Sequence, residues 1–267
     1  MNYIETLDRV TEQVLDAGKL IIAEWERPSG PRGSGDKAAV DIEIEERLRV
    51  ALLEISRCDF WGEETEASLS RAKYCWVVDP NDGTADFLNG LKGSAISVAL
   101  LRNEVPILGV VYAPVTVEGP PDCIAWTEGL RGIRRNAQIL QTSLRGAALE
   151  AGCKVMVSTA AFRKQMINAE LCEPAVFHPM PSIAYRLARV AAGDAVAAVS
   201  VVPVSAHDVA AGHAILKGAG GTLLDQDGVE ITRYAEDSLG IVGNRVFGGA
   251  SLACITLASR KWERVFQ

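Results

Sequence analysis

Acidic side chains recur at four separated places in the sequence, each just after a predicted strand or at the start of a predicted helix. Acids at strand ends collect on one rim of a sheet, where loops build functional sites. Each one alone is a weak signal, since an aspartate at a helix start is more often an N-cap than a ligand. The candidates are Asp41, Glu63 with Glu64, Asp79 with Asp82, and Asp208.

The sequence D-P-N-D-G-T that begins at Asp79 is more specific than the others. Pro80 fixes one φ, so the turn can aim the carboxylates of Asp79 and Asp82, with a carbonyl between them, in one direction. Gly83 lets the backbone bend closely, and Thr84 adds a hydroxyl. Hard oxygens that converge without a Cys/His ligand set predict Mg²⁺ or Mn²⁺ and not zinc. The alternative, a β-turn followed by a helix N-cap with no metal, would explain only one of the two acids.

Hydrophobic periodicity predicts the elements that must position these acids. In the first half it indicates a helix over 3–25, a loop over 27–35, a helix in the later part of 36–55, and strands at 58–61, 75–78, 96–101 and 107–112. In the second half it indicates strands at 154–158, 195–202, 222–224 and near Ile241, helices at 161–169, 182–192 and 208–218, and a last element over 250–259. Mixed strands and helices without a regular βαβ count predict a layered α/β or α+β fold.

A weak boundary over 141–152 divides the chain into two halves. Residues 1–145 carry most of the acids, and residues 146–267 complete the site, so we expect one compact unit.

The composition narrows the classes of function. The 267 residues can bury a large core, and 48% hydrophobic with 23% charged residues is ordinary globular usage. With 27 Lys and Arg against 34 Asp and Glu, the net charge of -7 argues against a nucleic-acid polymer as the partner. A small anionic substrate is not excluded, because a bound cation inverts the local charge. Six scattered cysteines, and no apolar run long enough for a bilayer, predict a cytoplasmic protein without a membrane partner.

The acid-bearing segments resemble the signatures of the inositol monophosphatase family, one of the fructose-1,6-bisphosphatase-like, Li⁺-sensitive phosphatases. The segment 76–87 resembles the first signature, W-V-V-D-P-x-D-G-T-x-x-F, and 62–65 resembles the G-E-E-S/T element. The segment 208–221 resembles the second signature, W-D-x-A-A-G followed by A-G-G. Asp41 matches the acid of the V-T-x-x-D element, with Ala38 in the threonine position. Order and approximate spacing match along nearly the whole chain.

The resemblance implies a layered αβαβα sandwich and a hydrolase that uses metal-activated water. It implies two or three Mg²⁺ ions per site, with Mn²⁺ as a substitute, Li⁺ as an inhibitor, and a homodimer. The implied metal ligands are Glu63, Asp79, the carbonyl of Asn81, Asp82 and Asp208. The implied catalytic residues are Glu63, which would orient a water, and Asp41 with Thr84, which would accept its proton. The implied substrate-binding residues are Gly83, Thr84, Ser182, His207 and Asp208, with Lys37 as a loosely matched loop contact.

Besides Ala38, four positions depart from the family pattern. Asn81 stands where an aliphatic residue is usual, and its side chain is expected to bond within the turn or else touch a ligand. His207 replaces a tryptophan, either as a flat ring in the same pocket or as a titratable group beside the leaving group or a metal. Pro181 replaces a glycine next to Ser182, in the region that approaches substrate. Val201 stands where inositol-specific members carry an acid, which argues against myo-inositol phosphate.

Three hypotheses of function are left open. The first is a Mg²⁺-dependent phosphomonoesterase for a small sugar, polyol or nucleotide phosphate. The second is a 3'(2'),5'-bisphosphate nucleotidase, which would suit a second phosphate bound by Arg131, Arg134 and Arg135, although a solvated loop is the favoured interpretation of that cluster. The third is a catalytically idle regulatory relative, against which the intact acid set counts. Asp86 matches no family ligand and is expected at a helix start or on the surface.

Overall fold

The computed structural model describes residues 2–117 and 119–267. Its helices are α1 (Tyr3–Trp25), α2 (Ala39–Ile55), α3 (Thr84–Leu88), α4 (Gln165–Cys172), α5 (Ile183–Ala191), α6 (Ala206–Gly218) and α7 (Ser251–Ala258). The strands before residue 145 are β1 (Gly33–Ser34), β2 (Lys37–Ala38), β3 (Asp59–Gly62), β4 (Tyr74–Asp82), β5 (Ala95–Arg102), β6 (Val105–Ala113), β7 (Asp122–Thr127), β8 (Ile133–Arg135) and β9 (Gln138–Leu140). The later strands are β10 (Lys154–Val157), β11 (Val176–Pro179), β12 (Ala197–Ser200), β13 (Thr222–Leu224) and β14 (Val246–Gly249).

Two sheets form the frame of the molecule. The larger has the order β3-β4-β5-β6-β7-β8-β9, and it is antiparallel except that β3 runs parallel to β4. The smaller has the order β11-β10-β12-β14-β13, with β10 parallel to β11 and β12 and with β14 antiparallel to both of its neighbours. A separate hairpin pairs β1 with β2. Because β3 and β4 are parallel neighbours, the residues that follow them meet at one edge of the larger sheet.

The helices and sheets stack in five layers. Helices α1 and α2 pack on each other and against one face of the larger sheet. Helices α5 and α6 lie between the two sheets, with α6 against β4 to β7 and α5 against β12 and β14. Helices α4 and α7 pack against the smaller sheet, at β11 and at β13 with β14 respectively. This arrangement confirms the predicted αβαβα sandwich.

The apolar pattern of the sequence explains why these elements form. The buried face of α1 carries Leu7, Val10, Val14, Ala17 and Ile21, which recur every three or four residues and are all fully buried. Strand β5 is buried along almost its whole length instead of at alternate positions, because helices cover both faces of the larger sheet. None of the helices within the described residues is long and apolar enough to cross a membrane.

Some predicted boundaries are wrong. The strand predicted near Ile241 does not form, since Ile241 is exposed and the chain there makes only a single bridge, between Val204 and Gly243. The helix predicted over 161–169 divides into a 3₁₀ turn and α4, because Lys164 leaves the helical conformation, with φ of -135°. The strand predicted at 75–78 continues as β4 to Asp82, through the first four residues of the D-P-N-D-G-T motif.

The structure also shows elements that periodicity did not indicate. The loop predicted over 27–35 ends in the hairpin strand β1, and β11 forms beside β10 where no strand was expected. Both are two- to four-residue segments held by pairing with a neighbouring strand. Segments this short carry too few residues for an alternating pattern.

Arg135 links the two halves of the chain. Its guanidinium donates to both carboxylate oxygens of Asp122 on β7 and to both of Asp194 after α5, at distances of 2.7 to 3.1 Å. Arg134 pairs with Asp8 of α1. The prediction of a solvated loop is therefore wrong for these two arginines, which lie on β8 and are engaged with carboxylates. Of the two hydrophobic cores that the described residues form, one draws residues from both sides of residue 145 and the other only from residues before it, and the division at that residue stays a prediction.

Candidate active site

The D-P-N-D-G-T residues, called the metal turn below, form the end of β4, Gly83 and the start of α3. The pairing of β4 with β5 shifts register between Asp79 and Asp82, which marks a bulge. The backbone N–H of Asn81 donates to Oδ1 of Asp79 at 2.8 Å. Gly83 has φ of 96°, and a Cβ at this position would lie 3.1 Å from the backbone nitrogen of Ser182. Glycine therefore suits both the left-handed backbone and the close approach of α5.

Two other elements bring carboxylates to this turn. Strand β3 ends at Gly62 beside the parallel β4, so Glu63 lies at the same sheet edge as Asp79. Asp208 comes from the first turn of α6. One oxygen each from Asp79, Asp82 and Asp208 lie within 4.8 Å of one another. The sequence-predicted acids of this group thus converge in space.

The electrostatics of the cluster call for a cation. Burial raises the pKa of Asp82 and that of Asp208 to about 6, and it raises the pKa of Asp79 well above its ordinary value. Burial, followed by repulsion from Asp208, raises the pKa of Glu63 to about 8. Like charges held this close disfavour one another's ionised forms, and a positive ion between them removes that penalty.

The donor set fits a hard divalent cation. All of the converging carboxylate atoms are oxygens, which Mg²⁺ and Mn²⁺ prefer. Oxygens bound to one Mg²⁺ at about 2.1 Å lie at most about 4.2 Å apart. The 4.8 Å limit on the separations among Asp79, Asp82 and Asp208 means that shifts of under an ångström would complete such a site.

Asp41 lies next to the turn, in the first turn of α2, and is completely buried. Its carboxylate accepts hydrogen bonds from Nδ2 of Asn81 and from the Thr84 hydroxyl, each at 3.0 Å, and from the backbone N–H of Ala38 at 3.3 Å. Burial raises the pKa of Asp41 to about 6, while the hydrogen bonds from Thr84 and Asn81 oppose that shift. The predicted partners Asp41 and Thr84 are therefore in contact.

The sequence favoured a hydrogen bond from the Asn81 side chain within its own turn, and this prediction is wrong. The side chain reaches Asp41 instead, because the N-terminus of α2 packs against the turn. The carbonyl oxygen of Asn81 lies 2.9 Å from the Thr84 hydroxyl, and the side-chain oxygen Oδ1 is buried without a hydrogen-bond partner among the described residues.

Asp82 is held by the N-terminus of α5. Its Oδ2 accepts hydrogen bonds from the Ser182 hydroxyl and from the backbone N–H of Ala184, both at 2.6 Å. Ser182 is also the N-cap of α5 and accepts from the N–H of Tyr185. The buried guanidinium of Arg186 lowers the pKa of Asp82 against the effect of burial. The Ser182 hydroxyl therefore points at Asp82, and its contact with substrate stays a prediction.

Glu45 is a site residue that sequence reasoning missed. Its buried carboxylate accepts hydrogen bonds from the backbone N–H groups of Glu64 and Thr65, at 2.9 and 2.8 Å, and from the Thr65 hydroxyl. A Cβ on Gly62 would lie 2.0 Å from this carboxylate, so glycine leaves room for it. Glu45 follows Asp41 by four residues on α2, a spacing that places both on one helix face and could have revealed it.

His207 lies beside the acids. Its Nε2 is 3.1 Å from the Ser205 hydroxyl and 3.8 Å from a carboxylate oxygen of Glu63 and from one of Asp208. The ring meets Trp61 edge to face, with centroids 6.1 Å apart, and Nδ1 is buried without a partner among the described residues. Burial lowers the pKa of His207 to about 4.

Two peripheral residues complete the neighbourhood. Lys37 is exposed on the hairpin strand β2, and its charge opposes the upward shift that burial gives to the pKa of Glu64. Asp86 lies in the first turn of α3, where it accepts from the Thr159 hydroxyl at 2.9 Å, as expected of a helix-start acid outside the metal turn.

The fold and the acid cluster define a layered α/β protein with a site for divalent cations, and comparison with known proteins specifies the class. The family model "Inositol monophosphatase family" matches residues 5–260. The chain therefore belongs to the inositol monophosphatase family, and it is a metal-dependent phosphoric monoester hydrolase.

Individual relatives agree with this assignment. The chain is 30% identical over 195 residues to an inositol monophosphatase of Mesembryanthemum crystallinum, covering 66% of this chain and 68% of that protein. It is 41% identical over 76 residues to a fructose-1,6-bisphosphatase/inositol-1-monophosphatase of Aquifex aeolicus, but this match spans only 28% of this chain and 29% of that protein. It is 30% identical over 179 residues to a 3'(2'),5'-bisphosphate nucleotidase of Salmonella typhimurium, covering 64% and 67%.

A solved structure matches the fold along almost the whole chain. The IMPase of Thermotoga maritima superposes with a TM-score of 0.77 and 22% identity, covering 98% of this chain and 99% of that one. At this identity the likeness supports the sandwich architecture alone.

Proposed function

We propose that this protein is a Mg²⁺-dependent phosphomonoesterase that acts on a small sugar, polyol or nucleotide phosphate. The observation that carries the proposal is the convergence of Asp79, Asp82 and Asp208, from two separate elements, into one buried oxygen cluster. Glu63 and the backbone carbonyl of Asn81 extend this ligand set. Two or three Mg²⁺ ions would be held here, with Mn²⁺ as a substitute and Li⁺ as an inhibitor.

The side chains around the cluster divide the work of hydrolysis. Divalent ions, when bound, would supply a water of lowered pKa and offset the charge of the phosphoryl group. Glu63 would orient the attacking water, and Asp41 with Thr84, which are joined by a 3.0 Å hydrogen bond, would receive its proton. Backbone N–H groups of Gly83 and Thr84, and the neighbouring His207 and Asp208, position the substrate.

A 3'(2'),5'-bisphosphate nucleotidase is the second candidate. It is supported by the likeness to the Salmonella typhimurium nucleotidase and by Val201, an apolar residue where inositol-specific relatives carry an acid. The basic cluster lends it no support, because Arg134 and Arg135 already bind carboxylates. The idle regulatory relative is set aside, since the family assignment and the complete acid set both favour an enzyme.

A substrate screen separates these candidates. Purified protein with Mg²⁺ is offered inositol-1-phosphate, fructose-1,6-bisphosphate, histidinol phosphate and adenosine 3',5'-bisphosphate, with and without Li⁺. Highest kcat/KM on a monophosphate supports the first candidate, and highest kcat/KM on the adenosine bisphosphate supports the second. Phosphate release from none of them, with metal still bound, contradicts both.

We also propose that the protein is a cytoplasmic homodimer. All six cysteines are unpaired, as in a reducing compartment. The homodimer rests on family resemblance and is checked by light scattering of the eluting protein, where a monomer mass would contradict it.

A further inference from the structure

His207 stands at the edge of the acid cluster with one ring nitrogen directed toward carboxylates. Oxygens of Glu63 and Asp79 and a nitrogen of His207 all lie within 4.8 Å of one another. We propose that His207 supplies a nitrogen ligand to one metal position shared with Glu63 and Asp79, so that this position binds first-row transition dications in preference to Mg²⁺. The inference rests on the proposed function, because it refines the metal site of that enzyme.

The distance between His207 and Glu63 suits a shared metal ion better than a direct hydrogen bond. Nε2 of His207 lies 3.8 Å from the nearest oxygen of Glu63, beyond the roughly 2.7–3.2 Å of a hydrogen bond. Two ligand atoms each about 2.1 Å from one ion are separated by about 3.0 Å when adjacent and about 4.2 Å when opposite. The observed separation falls inside that range, so an ion fits between the two atoms.

The ring is held in this orientation by its surroundings. His207 is 12% exposed, and the edge-to-face contact with Trp61 limits its rotation. The Ser205 hydroxyl, 3.1 Å from Nε2, competes with an ion for the same lone pair. Ser205 has an alternative, because its hydroxyl also hydrogen-bonds with Asp208 at the start of α6. The histidine nitrogen can therefore be released to a metal without leaving Ser205 unpaired.

The types of ligand atom determine which metal ions the site prefers. Carboxylates and water serve Mg²⁺ and transition dications alike, whereas imidazole suits Fe²⁺, Co²⁺, Ni²⁺ and Zn²⁺. Asp79, Asp82 and Asp208 form a position with carboxylate oxygens only. One imidazole beside Glu63 and Asp79 makes a second, mixed position. The sequence argued against zinc-like metals because no Cys/His ligand set accompanies the acids. The structure adds one histidine to the acid cluster, His207 in the first turn of α6.

Co²⁺ provides a direct readout. The protein contains three histidines, so a paramagnetically shifted imidazole N–H proton can be assigned by substitution. With Co²⁺ on Nε2, the proton of His207 resides on Nδ1, which is buried and so shielded from rapid solvent exchange. One-dimensional proton NMR of the Co²⁺-loaded protein should show one strongly shifted proton that disappears in D₂O.

Two variants assign the signal. His178→Gln, on strand β11 and outside the acid cluster, should retain it, and His207→Trp should lose it. Calorimetry should show Co²⁺ binding at least about 10-fold weaker in His207→Trp, with a much smaller change for Mg²⁺. His207→Gln, with a circular dichroism spectrum, serves if the tryptophan variant does not fold.

The outcomes distinguish this inference from the proposed function. Co²⁺ saturation without the shifted proton, persistence of the proton in the His207 variants, or failure of Co²⁺ to bind each overturns the nitrogen ligand. If the proton is present and no phosphate ester is hydrolysed with any metal, the nitrogen ligand stands and the proposed function falls. If Mg²⁺ supports hydrolysis and the proton is absent, the reverse holds.

Discussion

Asn81 is the residue at which this chain most directly alters the surroundings of its metal turn. Its backbone carbonyl, a proposed metal ligand, lies 2.9 Å from the Thr84 hydroxyl, while its side-chain amide donates to Asp41 and opposes the rise that burial causes in the pKa of Asp41. An aliphatic residue could supply the carbonyl but not the hydrogen bond. The side chain of Asn81 therefore acts on Asp41, which is part of the proposed proton acceptor, and not on the ion.

Asn81→Leu tests this role. Loss of one hydrogen bond to a buried carboxylate, worth about 1.4 kcal/mol, predicts a kcat about 10-fold lower with Mg²⁺ affinity nearly unchanged. Because the Asn81 amide lowers the pKa of Asp41, its removal raises that pKa and moves the acidic limb of the kcat/KM profile to higher pH. Steady-state kinetics across pH at saturating Mg²⁺ measure both effects.

Asn89→Leu is the matched control, since Asn89 is exposed and donates only to a backbone carbonyl within α3. A wild-type pH profile in Asn81→Leu would contradict a positioning role for the amide.

Helix α2 acts on two parts of the site from one face. Asp41 contacts the metal turn, and Glu45, one helical turn later, holds the backbone of Glu64 and Thr65 beside Glu63. Both carboxylates are fully buried, so the helix fixes the proposed base and the Glu63 loop relative to each other. A shift of α2 would therefore disturb both at once.

Glu45→Ala is expected to loosen the Glu63 loop. It removes the acceptor of three hydrogen bonds and leaves two backbone N–H groups unpaired, a loss of about 3 kcal/mol. This predicts a Tm lower by about 6–12 °C and a Mg²⁺ affinity about 10-fold weaker. Calorimetry and thermal melts measure these changes.

Glu45→Gln should recover part of the loss, because one acceptor oxygen remains. Glu46→Ala, an exposed neighbour on the same helix, should behave as wild type. Equal Mg²⁺ affinity in Glu45→Ala and Glu46→Ala would refute the anchoring role.

The elements that position the site were predictable from sequence where local pattern and burial coincide. The spacing of Leu7, Val10 and Val14 defines α1, and the D-P-N-D-G-T motif indicated the acids that the structure brings together at the end of β4, although their backbone continues the strand. Glu45 was missed because a single glutamate on a helix looks solvated until its loop partner is known. The strand predicted near Ile241 does not form, because an apolar pair between two glycines, Ile241 and Val242, resembles a short strand even when Ile241 is exposed. The ion pair of Arg135 with Asp194 could not be predicted, because the two residues are far apart in sequence.

The whole molecule concentrates buried negative charge at one place, and its stability should depend on what neutralises that charge. Asp41, Asp82 and Asp208 have folded-state pKa values of about 6, and Glu63 of about 8, all above the unfolded values. The stability from such groups is fully present below the unfolded pKa and is lost as pH rises through the folded pKa.

Between pH 6.5 and 8.0 this loss comes mainly from Glu63, because the folded pKa values of Asp41, Asp82 and Asp208, about 6, lie below that window. His207 and His213 have lowered pKa values, of about 4 and about 3, and the unfolded chain gives up most of its histidine protons by about pH 7, so their stabilising contribution is nearly constant in the upper part of this window. Metal-free protein, prepared with a chelator, should lose a few degrees of Tm between pH 6.5 and 8.0. Saturating Mg²⁺ should raise Tm more at pH 8.0 than at pH 6.5, because cations compete with protons for the same oxygens.

Asp208→Asn removes one of the charges and should flatten the metal-free decline. A Tm of metal-free wild type that rises across this window would mean that the acids are not protonated in the way their burial implies.

Asp82→Asn examines the acid cluster most directly. Asparagine keeps an oxygen to accept from Ser182 and Ala184, so the fold and its circular dichroism spectrum should persist while one charged metal ligand is lost. Asp86→Asn, a neighbouring acid bonded to Thr159, is the matched control and should retain turnover. The measurement is Mg²⁺-dependent phosphate release on the best substrate of the screen. A cation-binding active site predicts that wild type and Asp86→Asn turn over only with metal and that Asp82→Asn has no measurable turnover; near-normal phosphate release by a folded Asp82→Asn protein would contradict it.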